Sequence, residues 1–273
     1  MNAHYIPERF KTGIKVDYIL SDGDQLIDQP FQDPHETSLV QVFDIGTRLQ
    51  LGERVYRYGY FNTGTTDIYA VVDKNTDAAD GFYEATNLVA GAVGDKTVVI
   101  RDIAARALNH YKGGWVNLFH SAAAQSATNH DQWRRITSST VNAGGGGTTI
   151  TLGLDYPLTS VCVTGVAATP SNFSKMGKPT NTGAEVFVGF PCRDHQASTY
   201  GWVQTWGPCM GHYNLAYPGS IGPPGDRDVY LTGFGEIITP KQSGAEAYKS
   251  YQRAGYILTT GGGTTFFMLQ LGA

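Results

Sequence analysis

The sequence predicts an all-β protein, an antiparallel barrel or sandwich, because three observations agree. Short runs of β-branched and aromatic residues, several of them alternating between apolar and polar side chains, recur along most of the chain. The 273 residues include 34 glycines and 12 prolines, which mark frequent turns between these runs. Only 16% of the residues are charged and 12% are aromatic, a composition that disfavours a disordered chain or a helical bundle.

Residues 1–42 differ from the rest of the chain and are predicted to form an extended N-terminal arm with little core of its own. Pro7, Pro30 and Pro34 interrupt this segment, and each proline biases the residue before it away from the helical conformation. One alternating run, residues 14–20, allows a short strand. An edge strand and a loop of the main body are the alternative interpretation of the same residues.

Residues 43–273 are predicted to form a β-rich body, either one large domain or two smaller barrels, because strand patterns follow one another throughout. Alternation in the first pattern places Tyr56, Tyr58 and Tyr60 on one face. Three consecutive glycines separate the last two patterns and supply the positive φ values of a tight hairpin loop. In chain order, the predicted strands cover residues 55–61, 68–72, 97–100, 115–119, 133–137, 148–152, 161–164, 186–190, 200–206, 229–232, 236–239, 255–260 and 264–271.

Few segments favour a helix. Residues 102–108 are predicted to form one short helix, with Asp102 as its N-terminal capping residue. Residues 243–252 are a second candidate helix. Two short helices do not change the all-β class.

The charge and cysteine counts exclude several classes of protein. The formal net charge is −4, whereas a protein that binds nucleic acid through its phosphates would be basic, so we expect no nucleic-acid partner. No apolar run approaches the roughly 20 residues of a membrane helix, so we expect no membrane partner. Cys162, Cys192 and Cys209 are an odd number of cysteines and are expected to be free thiols. The first residues lack the basic and apolar regions of a signal peptide, which predicts synthesis in a cytoplasm without export by a cleaved signal.

Sequence motifs of enzymes are absent, and we expect neither an enzyme nor a cofactor. The chain contains no G-x-S-x-G nucleophile motif, no G-x-x-x-x-G-K-[ST] phosphate-binding loop and no H-E-x-x-H zinc motif. Its carboxylates form no motif that identifies a general acid and a general base. A polysaccharide hydrolase, which needs a converging carboxylate pair in a groove, stays open as an alternative.

One set of cysteines and histidines has the spacing of metal ligands. Cys192 and His195 are three residues apart, as are Cys209 and His212, and two cysteines with two histidines can hold zinc tetrahedrally. The predicted strand 200–206 lies between the two pairs and would carry them to opposite ends. The sequence therefore favours no metal site, with these residues taking part in packing or lying at the surface.

The strand 200–206 has the highest density of aromatic residues in the chain. Alternation places Tyr200, Trp202 and Trp206 on one face. This face is either a binding surface, because Trp and Tyr are enriched at interfaces, or a barrel wall whose rings fill the interior. These three residues, together with Phe31 in the arm, are the candidate interface residues.

Several stretches of the sequence together carry a resemblance to a known family. They are residues 200–209 (YGWVQTWGPC), 45–48 (IGTR) with 54–58 (RVYRY), 111–115 (YKGGW) with 133–136 (WRRI), 154–158 (LDYPL), and 255–258 (GYIL) with 267–269 (FML). They resemble segments of virion structural proteins of tailed bacteriophages. The similarity covers residues 44–271 in patches and does not include residues 1–42.

The resemblance implies a non-enzymatic protein of the virion, a capsid decoration or cement protein. Such a protein would bind the major capsid protein on the outer capsid surface, across the seams between subunits, and stabilise the head as a homotrimer. The arm would add strand contacts at a free sheet edge of a neighbour. A tail- or fibre-associated virion protein that binds host glycans through aromatic faces is the alternative. The major capsid subunit itself is disfavoured, because no helical pattern has the length of that fold's spine helix.

Overall fold

A computed structural model describes the greater part of the chain, and all structural statements below concern the described residues. These are residues 16–19, 32–75, 82–84, 88–89, 91–102, 104–119, 132–145, 149–162, 165–180, 185–213, 227–239, 251–260 and 264–272. They form eighteen strands and no helix, which confirms the all-β class. No helix in this part of the chain is long and apolar enough to cross a membrane.

The strands are numbered in chain order, and all but one of the extended pairings between them are antiparallel. They are β1 Val16–Ile19, β2 Arg48–Leu51, β3 Arg54–Phe61, β4 Val71–Asp73, β5 Phe82–Glu84, β6 Leu88–Val89, β7 Thr97–Arg101, β8 Trp115–Phe119, β9 Gln132–Ser139, β10 Thr149–Leu154, β11 Gly165–Thr169, β12 Met176–Gly177, β13 Phe187–Pro191, β14 Thr199–His212, β15 Asp228–Leu231, β16 Ile237–Ile238, β17 Gln252–Thr260 and β18 Thr264–Gln270.

The chain divides into two compact units that are not consecutive in sequence. Unit 1 comprises residues 1–74 and 173–273, and unit 2 comprises residues 75–172, inserted between β4 and β12. Each unit contains one sheet. The sheet of unit 1 has the order β1-β2-β3-β12-β4-β13-β14-β18-β17-β15-β16, and that of unit 2 has the order β5-β11-β8-β9-β10-β7-β6.

Five strands of unit 1 close into a barrel. An additional pairing of β3 with β14 completes the ring β3-β12-β4-β13-β14. Every strand of the ring contributes one buried apolar side chain to a shared interior cluster, because alternate residues of a strand point to opposite faces. The five side chains are Phe61, Met176, Val71, Val188 and Val203.

The outer face of β3 and β14 carries a second cluster, which we call the outer aromatic cluster. It comprises Phe43, Leu49, Tyr56, Tyr58 and Trp202. The rings of Tyr58 and Trp202 meet edge to face at 5.1 Å between centroids, and Phe43 lies 5.3 Å from each. The cluster explains the spacing of the tyrosines in β3, since Tyr56 and Tyr58 face outward while Phe61 faces the barrel interior.

The remaining apolar side chains form one further core in each unit. In unit 1, residues of β15 to β18 pack on β4, β13 and the second half of β14, with Phe190 and Phe267 edge to face at 5.4 Å. In unit 2, thirteen buried residues fill the inner side of the seven-stranded sheet. Val116 and Leu118 of β8 are both fully buried there.

The described parts of residues 1–42 contact unit 1. Strand β1 pairs with β2 at the edge of the large sheet. Ser38 and Tyr200 exchange two backbone hydrogen bonds, of 2.9 and 2.7 Å. Gln32 accepts a hydrogen bond from the Tyr58 hydroxyl, and its backbone oxygen accepts one from the Trp202 indole at 2.9 Å. In these described parts the segment is therefore hydrogen-bonded to strands of unit 1.

The helix predicted at residues 102–108 is not formed, and that prediction is wrong. Arg106 instead forms an isolated bridge with Asn142. The buried Asp102 carboxylate accepts hydrogen bonds from Arg106 Nε and the Tyr111 hydroxyl, both at 2.7 Å. Burial by itself would raise the pKa of Asp102, but these bonds outweigh burial and hold the pKa below its ordinary value. Of the other predicted helix, residues 243–250 lie outside the described part, and Gln252 begins β17.

Candidate functional site

The barrel of unit 1 has a cleft at one end, where four loops meet. These loops connect β3 to β4, β12 to β13, β13 to β14 and β15 to β16, and the cleft has a volume of about 820 Å³. This volume lies in the range of small-molecule binding sites. Loops at one end of a rigid sheet scaffold are also where binding residues are usually found.

The walls of the cleft are held together by backbone hydrogen bonds between loops. Thr65 and His195 exchange two such bonds, of 2.9 and 3.0 Å, which join the β3–β4 loop to the β13–β14 loop. The backbone N–H of Asp67 donates to the Asp194 carboxylate at 3.0 Å across the same two loops. The backbone N–H of Ala70 donates to the carbonyl of Gly235 in the β15–β16 loop at 3.0 Å. The cleft is therefore formed before any ligand arrives.

His195 lies in this wall and is almost completely buried, with 3% of its surface exposed. Its ring stacks on Phe61 at 3.7 Å between centroids, with an angle of 12° between the planes. Neither ring nitrogen has a hydrogen-bond partner. Burial lowers the pKa of His195 to about 4, with a smaller effect of Arg193 in the same direction, so the ring is neutral at neutral pH.

The side chains around the mouth of the cleft combine aromatic rings with charges. Phe234 is exposed over 54% of its surface, and Tyr69 is half-buried. Asp194 and Glu236 contribute carboxylates, and Lys178 contributes an ammonium group. Such a set can accept and donate hydrogen bonds and can pack against an apolar ring.

The four residues with the spacing of metal ligands do not come together. Cys192 packs against the outer aromatic cluster, Cys209 belongs to the core of β15 to β18, and His212 lies beside Glu236, with Nδ1 3.8 Å from the carboxylate. Burial raises the pKa of Cys192 to about 12, so its sulfur is held as a thiol. Within the described ranges, no group of three or more His, Cys, Asp or Glu side chains is arranged to hold a metal ion. All three cysteines are free, as predicted.

The predicted interface residues of β14 separate in the structure. Trp202 is fully buried in the outer aromatic cluster, which agrees with the packing interpretation of this face and not with an exposed binding surface. Tyr200 is half-buried, stacked on Tyr58 at 6.3 Å. Trp206 is half-buried and lies on the opposite face from Trp202, because a β-bulge between residues 204 and 206 interrupts the alternation. Phe31 lies outside the described residues.

A pair of exposed tryptophans on unit 2 was missed among the candidate site residues. Trp115 is exposed over 53% of its surface and Trp133 over 65%. Strands β8 and β9 pair with Trp115 opposite Arg135 and Asn117 opposite Trp133, so all four side chains share the outer face of the sheet. The sequence did contain a signal, since Val116 and Leu118 occupy the core face and thereby turn Trp115 outward. We call these four residues the tryptophan face.

Comparison with known proteins does not identify a family for this chain. No protein-family model, no curated protein and no solved structure matches it. Function must therefore be inferred from the residues and from the surfaces that the fold presents.

Proposed function

We propose that this chain is a capsid decoration protein of a tailed bacteriophage, which binds the outer surface of the capsid across the seams between subunits. The tryptophan face of unit 2 carries the proposal, because it presents two large exposed indoles on one sheet face. The segments that resemble virion structural proteins, such as residues 200–209, support it. The role requires no catalytic step.

The tryptophan face has the composition of an interface core. Trp115 and Trp133 are diagonal neighbours on adjacent strands, which places them about 7–8 Å apart. Tryptophan and arginine are the residues most enriched among those that dominate binding energy, and Arg135 lies directly opposite Trp115. Asn117, between the two indoles, has a buried side-chain oxygen without a hydrogen-bond partner. A docked protein would cover the two indoles.

A stable contact with a capsid subunit needs about 800 Å² of buried surface on each partner, more than two indoles provide. A homotrimer would bring three tryptophan faces to one position on the capsid, where the contacts combine through effective concentration. The partner is the major capsid protein. A subunit bound across a seam stabilises the head, because separating the capsid subunits then also requires these contacts to be broken.

The test is binding to capsids assembled without this protein. We expect Trp115→Ala and Trp133→Ala each to weaken co-sedimentation at least about tenfold, the loss expected of residues that dominate an interface. Phe234→Ala is the matched control, since it removes an exposed aromatic ring from unit 1. Thermal unfolding of each variant shows that the fold is retained.

Two results would contradict the proposal. One is undiminished capsid binding by the double variant Trp115→Ala/Trp133→Ala. The other is recovery of the chain with purified tails, which would favour the tail- or fibre-associated alternative. Sedimentation equilibrium tests the homotrimer separately. A monomer that still binds capsids would contradict the homotrimer and leave the proposed capsid binding in place.

A further inference from the structure

The cleft of unit 1 is not used by the proposed contact with the capsid, which lies on unit 2. It has the volume of a small-molecule site, and hydrogen bonds between its loops hold it open. A preformed cleft binds without the entropic cost of ordering its walls. The question is which class of ligand its chemistry fits.

Buried polar atoms in the cleft wall lack hydrogen-bond partners. They are the hydroxyl of Thr65 and both ring nitrogens of His195, on the two loops that are hydrogen-bonded to each other. Such atoms are uncommon in folded proteins, and they mark positions where an ordered water or a ligand supplies the missing bond.

Carboxylates outnumber ammonium groups in the lining of the cleft. The Asp194 carboxylate already accepts a bond from the backbone of Asp67, and the imidazole of His212 lies 3.8 Å from the Glu236 carboxylate. Lys178 adds a positive charge to the same lining. A polyanion would therefore find no complementary charge here. The carboxylates and the ammonium instead match a neutral ligand that both donates and accepts hydrogen bonds.

Two aromatic rings in the cleft indicate which class of neutral ligand it fits. Phe234 presents 54% of its surface, and Tyr69 is half-buried in the same cleft. A sugar ring has hydroxyl groups around its edge and an apolar C–H face, so it can bond to carboxylates while it packs on an aromatic ring. Phe234 offers an exposed ring beside these hydrogen-bonding groups, and Tyr69, whose ring lies 5.1 Å from that of His212, adds a second, partly covered ring.

We infer that the cleft formed by the β3–β4, β12–β13, β13–β14 and β15–β16 loops binds a neutral saccharide. The Glu236 and Asp194 carboxylates accept hydrogen bonds from its hydroxyls, Lys178 donates to them, and Phe234 and Tyr69 pack on its C–H face. This site does not depend on the capsid contact. It would let the protein attach to a glycan surface while it remains part of a virion.

The experiment is calorimetric titration of the full chain with four neutral trisaccharides: maltotriose, cellotriose, mannotriose and triacetylchitotriose. We expect at least one to bind, with a dissociation constant no weaker than roughly the millimolar range. Phe234→Ala and Glu236→Gln should each weaken that binding at least about fivefold. Phe234 is exposed, so its removal leaves the fold intact, and Tyr69→Ala is a third variant of the same cleft.

Trp133→Ala is the matched control, because it removes an exposed ring from unit 2 and should leave sugar binding unchanged. Spermidine serves as the cationic probe. Three results would overturn the inference. One is that none of the four sugars binds when its concentration is about 10 mM, roughly ten times a millimolar dissociation constant. The others are binding of spermidine without binding of any sugar, and sugar binding by all cleft variants that equals that of the unaltered chain. Capsid binding by Phe234→Ala is measured as well. If this variant binds capsids while no sugar binds to the chain, the inference about the cleft fails and the proposed function stands.

Discussion

His195 shows what a single residue does when it is buried without partners. Its ring fills the space between Phe61 and Gly201, where a Cβ on residue 201 would lie 2.1 Å from His195 Cε1, so only glycine fits. The two charged groups next to it in sequence, Arg193 and Asp194, shift its pKa in opposite directions. Burial decides the outcome, and the pKa falls to about 4.

The low pKa of His195 predicts how stability depends on pH. An unfolded chain has a histidine pKa of about 6.5, so between about pH 6.5 and about pH 4 the unfolded state binds a proton that the folded state does not. The free energy of unfolding should therefore fall as the pH falls through this window, by about 3 kcal/mol from this residue. We expect His195→Phe, which keeps a ring against Phe61, to remove that part of the decrease.

The measurement is urea unfolding of both chains at about pH 7 and about pH 4.5. The control is His35→Gln, which replaces an exposed histidine elsewhere in unit 1. Equal pH dependence in His195→Phe and the unaltered chain would show that His195 is not the group responsible.

At the scale of secondary-structure elements, β14 connects the separate cores of unit 1. Its fourteen residues pair with β3, β13 and β18. Val203 points into the barrel, Trp202 into the outer aromatic cluster, and Cys209 into the core of β15 to β18. The outward face of this strand is buried because residues 32–45 lie over it. The N-terminal segment therefore covers the part of β14 around Trp202.

We predict that Gln32 holds residues 32–45 against strands β3 and β14. Its side chain accepts a hydrogen bond from Tyr58 and donates to the backbone oxygens of Glu36 and Tyr200. Gln32→Ala leaves the buried Tyr58 hydroxyl without this acceptor, which should lower the free energy of unfolding by about 1–3 kcal/mol. It should also speed hydrogen exchange of the Ser38 and Tyr200 amides, each of which donates to the backbone carbonyl of the other residue.

Hydrogen exchange read by mass spectrometry, together with urea unfolding, checks this prediction. Gln41→Ala is the matched control, since Gln41 is exposed and its side chain makes one bond, to the carbonyl of Phe43. If the two variants behaved alike, Gln32 would have no special role in holding the segment.

At the scale of the whole molecule, unit 2 has what an independent domain requires. It has its own sheet and its own core of thirteen buried residues. The two ends of the insertion lie together, since the side chain of Asn75 donates to the carbonyl of Ser171 at 3.2 Å. Buried Asp102, Arg106 and Tyr111 are joined by hydrogen bonds within this unit alone. The tryptophan face therefore belongs to a part of the chain that carries its own stability.

We predict that residues 75–172 fold when expressed alone. The isolated segment should give a dispersed amide spectrum and one cooperative unfolding transition, because its core does not need residues from unit 1. Asp102→Asn within the segment should lower stability by about 3 kcal/mol or more, as it breaks a buried ion pair. A collapsed spectrum without cooperative unfolding would mean that unit 1 is needed to fold unit 2.

The residue pattern alone predicted the all-β class and the position of most strands. Strand β8 has the predicted bounds, 115–119, and β3 and β18 differ from prediction by a single residue. These agreements arise because alternation of side chains and clusters of turn residues are local properties that any β-strand must show. The free thiols likewise followed from the count of cysteines alone.

Only the tertiary structure decided which faces are covered and which are open. Alternation placed Trp202 on one face of a strand but did not reveal that residues 32–45 would bury it. The bulge that turns Trp206 to the other face depends on pairing with β3, and the bonds that replace the predicted helix at Asp102 come from Tyr111 and Asn142. Each of these outcomes depends on residues distant in sequence. A local pattern limits which secondary structure a segment can form. The contacts that folding brings to the segment determine which structure forms and which of its faces are buried.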